Sequence, residues 1–125
     1  MKETPLALVI EDDPEQQKIF TKAIEMAGYS VEAIGDGKEA QERLKEVTPS
    51  LVILDLHLPK VSGDEILRQI RANDRLASVN VMLATADPLL AETLHNSSDL
   101  VLLKPVSFIQ LRDLATRLRE KIKSC

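Results

Sequence analysis

Residues 51–59 read LVILDLHLP. Residues 51–54 are apolar without a break, as in a central strand of a parallel sheet that is covered on both faces. The run ends on Asp55, and Pro59 and Gly63 follow it. Three further apolar runs end on a polar group: LVIEDD at 8–13, VMLAT at 81–85 and LVLLKP at 100–105. In an open parallel sheet, ligands bind at the carboxyl ends of the strands. Glu11, Asp12, Asp55, Thr85 and Lys104 would therefore meet at one rim. Carboxylates, a hydroxyl and an ammonium in one place suit a divalent cation and a phosphoryl group.

Amphipathic stretches separate these runs, which argues for βα units and a parallel sheet. Residues 6–11 read as the first strand. Pro14 suits the first position of a helix, and Phe20, Ala23, Ile24 and Ala27 then share one face at a 3.6 period. Gly28 ends that helix as a C-terminal cap. Residues 29–34 alternate through Tyr29, Val31 and Ala33, like a more exposed strand. A second helix carries Ala40, Leu44 and Val47 and stops at Pro49, and a third carries Ile66, Leu67 and Ile70. NVMLAT is the fourth strand and LVLL at 100–103 the fifth. The last helix shows Leu111, Leu114, Ala115, Leu118 and Ile122 on one face. Five strands alternating with five helices fit an α/β domain with strand order 2-1-3-4-5 and a switch point between strands one and three. Those two strands carry the acids.

The 125 residues fit one domain of common size. No apolar run approaches the ~20 residues needed to span a bilayer. The amino end, MKETPLALVIEDD, reaches acids too soon for a signal peptide, so a cytoplasmic location without membrane contact is expected. Cys125 is the one cysteine and cannot form an internal disulfide. Net charge is −4, with one Tyr, two Phe and no Trp. Both facts argue against direct nucleic-acid binding, which uses a basic stripe and often aromatic platforms. Arg112, Arg117, Arg119, Lys121 and Lys123 crowd the last segment, where cations complement a helix dipole.

An isolated Asp at a strand end often only starts a turn, but Asp55 closes a wholly apolar strand beside the strand that delivers Glu11 and Asp12. Like carboxylates at close range disfavour their charged forms, and a hard cation with oxygen ligands relieves that cost. Magnesium, which uses one or two carboxylates plus phosphate oxygens, matches the inventory. Asp13 reads as an acid at a helix start. No His/Cys cluster accompanies His57 or His95. His57 is expected at the rim, modulating water access, with Asp87 as its counterpart. His95 is expected to be a solvated helix-end residue.

Four motifs in order, an acid pair, an Asp, a Thr and Lys-Pro, resemble the receiver domain of two-component response regulators, and the likeness covers essentially residues 1–125. The matching residues are Glu11-Asp12, Asp55, Thr85 and Lys104-Pro105, with Pro59, Gly63 and GDGKEA at 35–40 as lesser marks. The resemblance implies a single flavodoxin-like (βα)5 domain that takes a phosphoryl group from a sensor histidine kinase or a histidine phosphotransfer protein. It implies that Asp55 is the phosphoacceptor, with Lys104 and Thr85 on the phosphate. Asp12 and Asp55 would ligate Mg2+ directly, Glu11 through water, and the backbone carbonyl of His57 would complete the protein ligands. A cis bond before Pro105 and a downstream effector protein are also implied. Such a domain is not an enzyme beyond its own phosphorylation and dephosphorylation.

Two departures from the family pattern stand out. Val101 occupies the position three before Lys104 where receivers usually carry Tyr or Phe. Only 18 residues, 86–103, separate Thr85 from Lys104, and HNSSDL at 95–100 replaces a usual Gly-Ala pair. The fourth helix is therefore expected to be short or irregular. A pseudo-receiver, binding proteins without using the chemistry, is the rival reading. The complete acid, Asp, Thr and Lys set speaks against it, and Val101 and the short segment for it. Against a metal-dependent phosphatase, the chain has no second acid two residues after Asp55; against a flavodoxin-like cofactor binder, no Ser/Thr-rich phosphate loop follows its first strand.

Overall fold

The structure, a computed structural model, describes residues 4–93 and 100–124. The expectations for His95, for residues 94–99 generally, for the Ile122 side chain and for Cys125 fall outside what it describes. The chain runs β1 (Leu6–Ile10), α1 (Pro14–Met26), β2 (Ser30–Ile34), α2 (Gly37–Glu46), β3 (Leu51–Asp55), α3 (Gly63–Ala72), β4 (Asn80–Thr85), α4 (Pro88–Thr93), β5 (Leu100–Leu103) and α5 (Phe108–Ser124). All pairings are parallel and the sheet order is β2-β1-β3-β4-β5. This is the expected flavodoxin-like architecture, with β3 in the centre.

Strand side chains alternate between faces, so each central strand feeds two cores. Leu8, Ile10, Val52, Leu54, Val81 and Leu83 pack with Ala40 and Leu44 of α2 and Ile66, Leu67 and Ile70 of α3. Ala7, Val9, Leu51, Ile53, Met82 and Ala84 pack with Phe20, Ala23 and Ile24 of α1 and Leu111 and Ala115 of α5. Every residue of β3 is buried, which is why its sequence shows no alternation. Burying one such aliphatic side chain stabilises the fold by roughly 1.5–3 kcal/mol.

The helix ends follow from local chemistry. Asp13 accepts hydrogen bonds from the Glu15 and Gln16 N–H groups and caps α1, with Pro14 in its first turn. Gly28 follows α1 with φ of 101°, a backbone that L side chains rarely adopt. Its carbonyl accepts from Arg119 Nε of α5 at 3.0 Å. Two expectations need adjustment. Val47 lies just past α2 in extended backbone, still packed on the core, because the chain straightens ahead of Pro49. In β2, Ala33 is exposed and Ile34 buried, so the alternation that includes Ala33 does not hold. β2 is an edge strand with one partner, β1, and its burial is set by what α1 happens to cover.

Gly63 is a tight point at the carboxyl edge. A Cβ there would lie 2.3 Å from the Asp55 carbonyl oxygen and 2.6 Å from Leu56 Cα. Both are backbone atoms, so α3 reaches β3 only because residue 63 has no side chain. Gly63→Ala should lower unfolding free energy by about 1–3 kcal/mol in chemical denaturation. Gly35→Ala, where a Cβ would meet nothing within 4 Å, should change it by less than about 0.5 kcal/mol. Equal effects would contradict the close approach.

Candidate functional site

The strand register carries the polar residues to one level. Ile10 pairs with Leu54, and Asp55 with Ala84. Glu11, one past Ile10, thus stands beside Asp55. Thr85 ends β4 opposite Leu103, and the Lys104 N–H donates to the Thr85 carbonyl at 2.8 Å. The Lys104-Pro105 peptide is cis, as the resemblance implied.

Glu11 and Asp55 are 1% and 3% exposed, and both reach the same cation. Lys104 Nζ lies 3.0 Å from Glu11 Oε1 and 3.4 Å from Asp55 Oδ1. Two backbone N–H groups also serve these acids, on the oxygen of Glu11 away from Lys104 and on the same oxygen of Asp55 that Lys104 approaches. Asp13 N–H donates to Glu11 Oε2 at 3.1 Å, and His57 N–H donates to Asp55 Oδ1 at 3.1 Å. Burial, and then hydrogen bonding to Asp55, push the Glu11 carboxyl up to about 7. The Asp13 N–H and Lys104 pull the other way and do not offset this. Burial works against the Lys104 charge, yet Glu11 and Asp55 together raise its pKa above the ordinary lysine value.

Asp12 completes the cluster differently. It is exposed, and no hydrogen bond or ion pair engages its side chain among the described residues. One carboxylate oxygen each from Glu11, Asp12 and Asp55 can lie within 4.8 Å of one another. Three acids against one ammonium leave a surplus of negative charge, with two acids buried. All the donors are hard oxygens. Such a set fits magnesium and offers nothing soft or nitrogenous for a transition metal. The carbonyl of His57 accepts no hydrogen bond among the described residues, and its imidazole is exposed.

Thr85 is fully buried, and its Oγ1 accepts from the Asp87 N–H at 3.1 Å. That bond leaves the hydroxyl proton to be donated elsewhere. Asp87 is exposed, and its carboxylate accepts from Leu89 N–H at 3.0 Å and Leu90 N–H at 3.3 Å, capping α4. Val101 is half-buried and packs on the core cluster shared with α2 and α3. The reading from sequence did not single out Gln17. Its side-chain amide donates to the Glu11 carbonyl at 2.9 Å. The signal was a polar residue that continues the α1 stripe of Phe20 and Ile24 towards the rim.

The Glu11 shift sets a pH dependence. Its folded value, about 7, lies above its ordinary 4.5. Folding therefore favours the neutral acid. The contribution is fully present below pH 4.5 and is lost as pH rises towards 7. Glu32, Asp36 and Asp64 shift downwards, so their contributions change below their ordinary values of 4.5, 3.8 and 3.8. Without divalent cations, Glu11→Gln should gain stability relative to the wild type as pH is raised from about 4.5 to about 7. Urea unfolding at stepped pH reads this difference; a constant difference would show that Glu11 ionises normally.

Comparison with known proteins agrees with the geometry. The family model for the response regulator receiver domain matches residues 7–116. A probable methanogenesis regulatory protein, FilR2 of Methanothrix harundinacea, is 32% identical over 126 residues, covering 92% of this chain and 81% of that protein. The DNA-binding dual master transcriptional regulator RpaA of Synechocystis is 38% identical over 82 residues, which is 66% of this chain and 34% of RpaA. In the hybrid signal transduction histidine kinase D of Dictyostelium discoideum the match spans 5% of the protein. The chain thus corresponds to only part of these last two relatives. Among solved structures, the signal receiver domain of a signal transduction histidine kinase from Syntrophus aciditrophicus superposes with a TM-score of 0.85 at 27% identity, covering 98% of this chain and 95% of that one. With its fold, its rim of acids and these matches in agreement, the chain belongs to the response regulator receiver domain family of two-component signalling.

Proposed function

We propose that this domain takes a phosphoryl group on Asp55 from the phosphohistidine of a sensor histidine kinase or histidine phosphotransfer protein. The observation that carries the reading is the pair of buried acids, Glu11 and Asp55, sharing Lys104 at the carboxyl edge of the sheet. An Asp55 oxygen attacks phosphorus, the P–N bond to the donor imidazole breaks, and an aspartyl phosphate forms. Attack by water later breaks the P–O bond and restores the carboxylate. Phosphoryl transfer asks mainly for positioning and charge stabilisation. Lys104 supplies a point charge to the phosphoryl oxygens. Thr85 donates the proton that its bond to Asp87 leaves unused. His57 and Asp87, both exposed, modulate the approach of water.

Magnesium would be held by Asp12 and Asp55 with the His57 carbonyl, and by Glu11 through water, and it would supply positive charge against the phosphoryl oxygens. Glu11 suits the indirect role, since Lys104 and the Asp13 N–H already occupy its oxygens. Asp12 suits the direct one, being uncommitted. Output passes to an effector protein.

No described helix is long and apolar enough to cross a membrane. The net charge of −4 argues against nucleic-acid binding by these 125 residues. Relatives with DNA-binding names extend well beyond the matched part. A phosphorylation-independent protein-binding module is the second reading. Val101 favours it, because a half-buried valine has no ring to swing between buried and exposed positions.

Asp55→Asn should keep the fold and gain no phosphoryl mass after acetyl phosphate and magnesium, while the wild type gains one, read by intact-protein mass spectrometry. Labelling of the variant would mean that another residue is the acceptor. Millimolar magnesium should raise the melting temperature, because it binds the clustered acids only in the native state. An unchanged melting temperature would favour the protein-binding module.

A further inference from the structure

We infer that Gln17 is a positioning residue for the metal site, acting through the backbone that carries Asp12. The inference rests on the metal-binding reading of Glu11, Asp12 and Asp55. The loop from Glu11 to Asp13 is held at most of its polar groups. Glu11 N–H donates to the Ile34 carbonyl at 3.0 Å, and Asp13 N–H donates to Glu11 Oε2 at 3.1 Å. The Asp13 carbonyl accepts from Gln17 N–H at 2.8 Å, and the Asp13 side chain caps α1. The Asp12 N–H and carbonyl make no hydrogen bond among the described residues, which leaves the Glu11 carbonyl. It lies just beyond the end of β1, so no strand partner takes it, and Gln17 Nε2 does so at 2.9 Å.

That carbonyl belongs to the peptide unit joining Glu11 to Asp12. A peptide unit is planar, so a bond to its oxygen also fixes the N–H side from which Asp12 departs. Asp12 has no side-chain partner of its own among the described residues. Its direction is therefore set by its backbone and rotamer alone. Gln17 is anchored in turn by α1, where its N–H joins the first helical turn. The amide thus ties the free acid of the cluster to α1. Removing the donor leaves the Glu11–Asp12 peptide free to rotate, and the cation must then order it on binding. Residues that orient metal ligands in this way typically alter affinity by roughly 10–100-fold when lost.

The test uses Gln17→Met, which keeps length and apolar stem but has no donor. Gln16→Met, at a neighbouring side chain that makes no hydrogen bond among the described residues, is the control. Magnesium affinity by calorimetry should fall about 10-fold for Gln17→Met and stay at the wild-type value for Gln16→Met. In metal-free protein, NMR relaxation of the Asp12 amide should show added motion in Gln17→Met alone. Melting temperatures without magnesium separate general destabilisation from positioning, and Gln17→Met should match Gln16→Met there. Unchanged affinity together with an unchanged Asp12 amide would overturn the role. If the wild type binds no magnesium, the metal reading fails. The Asp12 amide in metal-free protein still decides whether Gln17 orders the loop, and an amide as rigid as in the wild type would overturn that too.

Discussion

One ammonium compensates two buried carboxylates, and the rim is organised around that shortage. Lys104 reaches Glu11 at 3.0 Å and Asp55 at 3.4 Å, with both acids nearly excluded from solvent. A buried charge without a partner is costly, and one cation does not satisfy two anions. The protein meets the deficit partly with backbone N–H groups from Asp13 and His57, and partly by holding Glu11 near neutrality. What remains is a site poised for positive charge. The proposed cation binding rests on this imbalance, since a ligand that binds only the native state stabilises it.

The sheet makes this arrangement possible. Parallel register places the ends of β1, β3, β4 and β5 at one level, and two apolar cores lock the register from either face. A one-residue slip would exchange those faces, and it would also carry Asp55 away from Glu11. Core packing and site geometry are therefore one constraint. Gly63 extends it to α3, whose start lies against the Asp55 carbonyl with no space for a Cβ.

Much of this was legible in the sequence because the signals were redundant. The unbroken apolar run at 51–54 identified the central strand, and the polar group after each run identified the rim. Pro14 and Gly28 marked the two ends of α1. Other features depend on tertiary placement and left weaker traces. Ala33 and Ile34 differ in burial because β2 is an edge strand, which alternation cannot reveal. Val47 looked helical by spacing, yet the chain is already extended there. Adjacent acids at 11 and 12 looked alike, although one is buried and paired and the other exposed and uncommitted. Gln17 was not singled out, because its partner is a backbone carbonyl and the one trace it leaves is a polar residue continuing the α1 stripe.

The charge balance at the rim is open to direct observation. Carboxyl carbon chemical shifts of Glu11, followed by NMR against pH in metal-free protein, report its ionisation alone. The account predicts a midpoint near 7, and a lower one once magnesium is added, since a nearby cation favours the charged form. A Glu11 midpoint at the ordinary value of 4.5, unmoved by magnesium, would contradict the claim that two buried acids compete for Lys104.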